Sequence, residues 1–170
     1  MSSTRAQRRS SALADVRRGE GARSARLGTA VTFLGRLGED AIGERFSVLF
    51  QQRGVDCSAL QWDQQRPSRI VLVRRCSDGE RQFQGFAGDR GLGFADQALG
   101  PVELPRGARW LLVGSLPLAS SPSAESLQDV VAQARAHGMA LAMDVNWRPT
   151  FWNSSADPAS GPNHRAIELI

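Results

Sequence analysis

With 170 residues, 41% hydrophobic and 22% charged, and a formal net charge of +4, the chain falls among ordinary soluble domains. That length supports one real core and leaves no room for two full-sized domains. No apolar stretch approaches the ~20 residues that span a bilayer, and 17 Gly and 2 Cys exclude collagen and a disulfide scaffold.

All 21 basic side chains are arginines, and neither Lys nor Tyr occurs. Together with heavy Ala and Gly usage, this is the bias expected of GC-rich coding DNA. The charge is uneven. Residues 1–26 hold seven arginines against Asp15 and Glu20, a net +5, whereas residues 27–170 sum to −1. A folded nucleic-acid-binding surface would carry a basic stripe, so none is expected. Only the first 26 residues are suited to polyanions, through salt-sensitive phosphate contacts. Their composition predicts a basic disordered tail over 1–26. Rich in Arg and Ser, they match an organelle transit peptide as a lesser alternative, and they lack the apolar core of a secretory signal. A cytoplasmic location is expected. Cys57 and Cys76 stand apart without CxxC spacing and far from His137 and His164, so free thiols and no metal centre are expected.

Structure is expected from Leu27 onward. Thr29–Leu34 is an apolar, β-rich run that predicts a buried strand, followed by a turn at Gly35–Gly38. Asp40–Arg53 predicts a helix, with Ile42, Phe46, Leu49 and Phe50 on one face and Gly54 closing it. The period then changes. Arg69–Arg75, the turn signal Asp78-Gly79 and the return Arg81–Phe86 predict an antiparallel flap standing off the main sheet. Phe83 and Phe86, three apart, would face opposite sides of a regular strand. Gly85–Gly93 reads as a flexible loop leading off the flap. Arg109–Val113 predicts a strand, Ser121 and Pro122 open a helix whose inward face is Leu127, Val130, Val131 and Ala134, and Met139–Met143 predicts a second strand. Strand, helix and strand over this span make a parallel, right-handed βαβ unit.

Ligands of open parallel sheets bind beyond the carboxyl ends of the strands. Those ends here carry Gly114 and Ser115 on one strand and Asp144–Pro149 on the other. Glycine lets a ligand approach backbone, while Asn146 and Arg148 supply orienting donors, Arg with a two-pronged grip on carboxylate or phosphate. Asp144 either faces a ligand, holds Arg148, or caps the strand-end turn, and Arg148 either binds or is a surface charge.

At this point a resemblance enters. From Leu27 to about Pro162 the chain resembles the ribokinase-like (PfkB) carbohydrate kinases, and within them the bacterial fructokinases. The strings that carry it are FLGRLGEDAIGERF (Phe33–Phe46), GVDCSAL (Gly54–Leu60), RPSRIVLVRR (Arg66–Arg75), FQGFAGDRG (Phe83–Gly91), LLVGSLPLA (Leu111–Ala119) and DVNWRPTFW (Asp144–Trp152), with Gly28 and Gly38 at signature spacing. The resemblance implies an α/β fold with an incomplete Rossmann-like sheet, and a small antiparallel β lid over about 66–93 within a partial domain 27–170. It implies a substrate site of Phe86 closing over the sugar, Gly114 and Ser115 in the pocket floor, and Asn146 and Arg148 near the sugar and the transferred phosphoryl group. The implied reaction is phosphorylation of a ketose hydroxyl by ATP with magnesium.

Departures from the family pattern qualify this. The first signature's paired glycines and sugar-holding asparagine would fall near Ala14–Val16 and at Gly19, and are absent. The first strand and its sugar-binding Asp are expected to be missing too, displaced by the tail. No Gly-Ala-Gly-Asp occurs, so the second signature, which supplies catalytic base and anion hole, is lacking. An out-of-frame segment before Arg26 accounts for the tail. The expectation is a sugar kinase fragment truncated at both ends and inactive alone, poorly soluble, with Phe33, Trp110 and Trp147 left uncovered. No catalytic residue is assigned. The alternative is a non-catalytic sugar-binding or dimerising pseudokinase that pairs through the lid; membrane and specific nucleic-acid partners are not expected.

Overall fold

The run Val31–Leu34 is buried on both sides of an extended backbone, the pattern of a parallel sheet covered on two faces. The structure, a computed structural model, describes residues 10–14, 25, 27–77 and 79–145, with 10–14 and Arg81 by backbone alone. Strands β1 (Ser10–Ala14), β2 (Ala30–Gly38), β3 (Val55–Asp56), β4 (Leu60–Asp63), β7 (Trp110–Gly114) and β8 (Ala140–Asp144) form one parallel sheet in the order β3-β2-β1-β7-β8, with β4 also paired to β2. Strands β5 (Ile70–Arg75) and β6 (Arg81–Ala87) form a separate antiparallel ribbon. Helix α1 spans Ala41–Gln52 and helix α2 spans Ser121–Ala136.

Alternation along β2 sorts two cores. Val31 and Phe33 pack with Phe50 of α1 and Val55, the Phe33 and Phe50 ring centroids lying 4.7 Å apart. Leu34, Leu111 and Val113 pack with Leu127, Val130 and Ala134 of α2. The expected α2 face is therefore observed, with Val131 at its margin. The helix begins one residue earlier than expected, because Ser120 rather than Ser121 is the N-cap. Strands β7 and β8 pair in parallel as the βαβ reading requires.

Several expectations are corrected. The first strand is not missing: Ser10–Ala14 runs between β2 and β7, Ala12 opposite both Thr32 and Leu111. Without it, the facing edges of β2 and β7 would be left with unpaired backbone groups. The disordered-tail reading of 1–26 thus fails at these five residues. Phe33 is 5% exposed rather than uncovered, because Phe50 covers it. Trp110 is half exposed, as expected, and Trp147 lies outside the described residues. The turn at Gly35–Gly38 is instead the end of β2, because β4 supplies a ladder partner for each of those residues. In the ribbon, Leu72 pairs with Gly85 but Val73 with Phe83, so Gln84 is an extra residue. This bulge, at a Gly85 with φ +119°, brings Phe83 and Phe86 together, ring centroids 5.1 Å apart. It also extends the strand through Gly85–Ala87, leaving the loop to begin at Gly88.

Candidate functional site

Two groups of predicted residues lie at different places. The first is at the carboxyl ends of the central strands. Gly114 pairs with Asp144, and the Ser115 N–H donates to the Asp144 carbonyl at 3.1 Å, so β7 and β8 end level. Ser115 is 4% exposed, and its Oγ has no hydrogen-bond partner among the described residues. Leaving such a group dry is unfavourable, so an unsatisfied hydroxyl at a strand end marks where a polar ligand atom fits. The chain turns at once through a 3₁₀ segment, Leu116–Ala119, into α2. Asn146 and Arg148 lie outside the described residues.

The second group is on the ribbon. Phe86 is partly buried and stands edge-on to Phe83 and to Phe94, the latter centroids 5.9 Å apart. The guanidinium of Arg69 lies 4.5 Å from the Phe86 centroid and 4.6 Å from that of Phe94.

Sequence reasoning missed the root that joins ribbon to sheet. It is built on three carboxylates. Asp40, the N-cap of α1, accepts from the Ile42 and Gly43 N–H groups with Oδ1 and from the Ser68 N–H with Oδ2, at 3.0, 2.8 and 2.7 Å. Ser68 Oγ in turn accepts from the Gly38 N–H at 3.0 Å. Asp63, at the end of β4, accepts from the Gln65 and Arg66 N–H groups and pairs with Arg36 and Arg66. Asp96 takes the fork of Arg69. The spacing of the glycines in the GRLGEDAIG string follows from this packing: a Cβ on Gly38 would sit 2.5 Å from the Ser68 nitrogen, and one on Gly43 3.0 Å from the Trp62 ring. Burial pushes the Asp40 carboxyl up, yet the N–H groups of Gly43 and Ser68, with further bonds from Ser68 and Ile42, hold it below its ordinary value. At Asp63 burial is likewise outweighed by the Arg66 and Gln65 N–H groups and the charge of Arg36. A signal existed, since Asp40 sits at an N-cap position, but its partner Ser68 is 28 residues away.

The described residues contain no group of three or more His, Cys, Asp or Glu suited to a metal ion. The N-terminal N–H groups of α1 are taken by Asp40, and Pro122 in the first turn of α2 removes a donor there, so neither end offers an open phosphate cradle. Both cysteines are free. No described helix is long and apolar enough to cross a membrane.

In sequence and in fold the chain is similar to known proteins. The model of the pfkB family of carbohydrate kinases matches residues 23–163. An aminoimidazole riboside kinase of Salmonella typhimurium is 32% identical over 133 residues, which cover 77% of this chain and 40% of that protein. The structure of Xylella fastidiosa fructokinase with bound ATP superposes with a TM-score of 0.73 at 27% identity, covering 88% of this chain and 45% of the other. Vibrio cholerae fructokinase, in a form with fructose, ADP and calcium bound, gives 0.70 at 27% identity, with coverages of 88% and 47%. The chain therefore spans somewhat under half the length of these relatives.

Proposed function

Because the chain belongs to the pfkB family of carbohydrate kinases, we propose that it is the sugar-binding, lid-bearing part of an ATP-dependent sugar kinase of fructokinase type, acting in the cytoplasm on a ketose. Gly114 and Ser115 form the floor for the sugar and Phe86 closes from the lid, while the family resemblance assigns Asn146 and Arg148 to the reacting hydroxyl and the phosphoryl group. The observation that carries this reading is the buried Ser115 hydroxyl, without a hydrogen-bond partner among the described residues, at the level ends of β7 and β8.

In the full reaction a ketose oxygen bonds to the γ-phosphorus, the bond to the ADP oxygen breaks, and the hydroxyl proton passes to a base. Phosphoryl transfer depends on positioning and on charge stabilisation. The 170 residues contain no Gly-Ala-Gly-Asp, the string that supplies base and anion hole by resemblance. Loss of a general base costs about 10²–10⁴ in rate, and loss of preorganised anion stabilisation about 10²–10³ more. We assign no residue of this chain to hold the ATP and magnesium that the proposed reaction uses. The purified 170-residue chain is expected to bind fructose, read by quenching of tryptophan fluorescence, and to release no ADP above background in a coupled assay with fructose and ATP. Ordinary turnover would overturn the proposed inactivity, and failure to bind any ketose would overturn the sugar site.

One observation favours a second reading, a non-catalytic module that dimerises through the lid. Ile70, Val71, Leu72 and Val73 are all exposed on β5, between 37% and 54%. Four consecutive uncovered apolar residues on a two-stranded ribbon are suited to packing against a second copy.

A further inference from the structure

We propose that Arg69 is a positioning residue that sets the pose of Phe86, and with it the lid, relative to the first turn of α2. The role of Phe86 itself rests on the sugar-kinase reading above; the latch does not. Arg69 stands immediately before β5 and is only 7% exposed. Its Nε–H donates to Asp96 Oδ2 at 2.9 Å and its Nη2–H to Oδ1 at 3.1 Å, a planar fork. The same guanidinium packs over both Phe86 and Phe94, two rings that are themselves edge to face.

Three physical points make this more than packing. A buried guanidinium is costly to desolvate, and an apolar residue of similar volume often stabilises as well or better, so the ion pair is poorly explained by stability alone. Arginine can bond along its edge while its planar group packs on aromatic rings, which lysine's compact ammonium cannot. The other side of Phe86 is held by Phe83, which the bulge at Gln84 and Gly85 brings onto the same face. Phe86 is thus oriented from the ribbon by Phe83 and from the body by Arg69.

The body end of the latch is also fixed. The Asp96 carbonyl accepts from Ser123 Oγ at 2.9 Å, and the neighbouring Gln97 carbonyl accepts from Ser120 Oγ at 2.6 Å. Ser120 and Ser123 open α2, directly after the turn that follows Ser115. The lid aromatic is therefore tied to the start of α2 through Asp96 and Gln97, with Arg69 as the crossing point.

The test compares Arg69→Lys, which keeps the charge but loses the fork and the stacking plane, with Asp96→Asn, which keeps the shape but loses the ion pair. Amide hydrogen exchange on the 170-residue chain follows peptides within 70–87 and within 123–136. Both variants are expected to exchange about tenfold faster in the lid while α2 stays near the wild-type rate, the mark of local opening. Where the wild type binds fructose, its Kd is expected to rise about tenfold in both variants, equal to about 1.4 kcal/mol. Wild-type lid exchange in both variants would overturn the proposal. So would loss of protection spread evenly over lid and α2, which would make the pair a pillar of the whole fold. A wild type that fails to bind fructose would overturn the sugar reading, and the exchange comparison would still decide the latch.

Discussion

Replacing Asp40 tests the claim that one carboxylate holds both a helix start and the lid root. In Asp40→Ala the N–H groups of Ile42 and Gly43 lose their acceptor, as does the N–H of Ser68. Loss of an N-cap costs about 1 kcal/mol. Ser68 is 2% exposed, so its orphaned N–H adds about 1–3 kcal/mol of uncompensated desolvation. The expected sum is about 2–4 kcal/mol, a large share of the 5–15 kcal/mol typical of a whole domain. Asp40→Asn separates the two roles. Asparagine caps about as well as aspartate, but its amide has one oxygen, so α1 keeps its cap while an NH₂ group faces the Ser68 N–H. That variant is expected to lose about 1–2 kcal/mol. Urea unfolding followed by circular dichroism reads the order directly, wild type above Asn above Ala, the Ala midpoint lower by about 1–2 M for an ordinary m-value. An Ala variant within about 0.5 kcal/mol of wild type would refute the reasoning, and so would an Asn variant as unstable as Ala, because the Ser68 bond alone would then account for everything and the cap for nothing.

Two further outcomes follow from the same structure. The carboxyls of Asp40, Asp56 and Asp63 all lie below their ordinary value of 3.8 in the folded chain. The unfolded chain then binds more protons as the solution is acidified, so their contribution is full above that value and is lost as pH falls through the lower folded ones. Urea midpoints are expected to be level from neutral pH to about 5 and to decline below about 4; a midpoint unchanged at pH 2.5 would contradict this. In the lid, Val71→Asp combined with Val73→Asp is expected to convert a dimer to a monomer in light scattering, and a wild type monomeric at all concentrations would dismiss lid pairing.

What the sequence made legible is what local chemistry decides. Helix α1 is bounded by Asp40 and Gly54, a capping carboxylate and a glycine at φ +72°, and both ends were readable from residue type alone. The ribbon was readable because two β-rich runs flank a turn signal. The Gly35–Gly38 stretch misled because glycines announce a turn only while no partner strand is known. Leu60–Asp63, which pairs with it, is too short to declare itself. The extra residue at Gln84 was equally hidden, since a bulge is a relation between two strands and not a property of one.

Strand β1 shows the same limit from the other side. Ser10–Ala14 carries none of the family's motifs, and its surroundings are arginine-rich, so composition argued for a tail. In a parallel sheet, however, a central position mainly asks a segment for backbone that can pair on both edges. Small residues with one leucine meet that demand, and the register Ser10–Ala14 against Ala30–Leu34 follows. The slot needs a strand for its hydrogen bonds, whereas the chemistry needs particular side chains, two separate requirements of which the pairing of Ser10–Ala14 answers the first. That division separates the soundness of the sheet from the chemistry of the site. It also places the decisive measurements at the level ends of β7 and β8, where fold and chemistry meet in the same residues, and not in the pairing of strands.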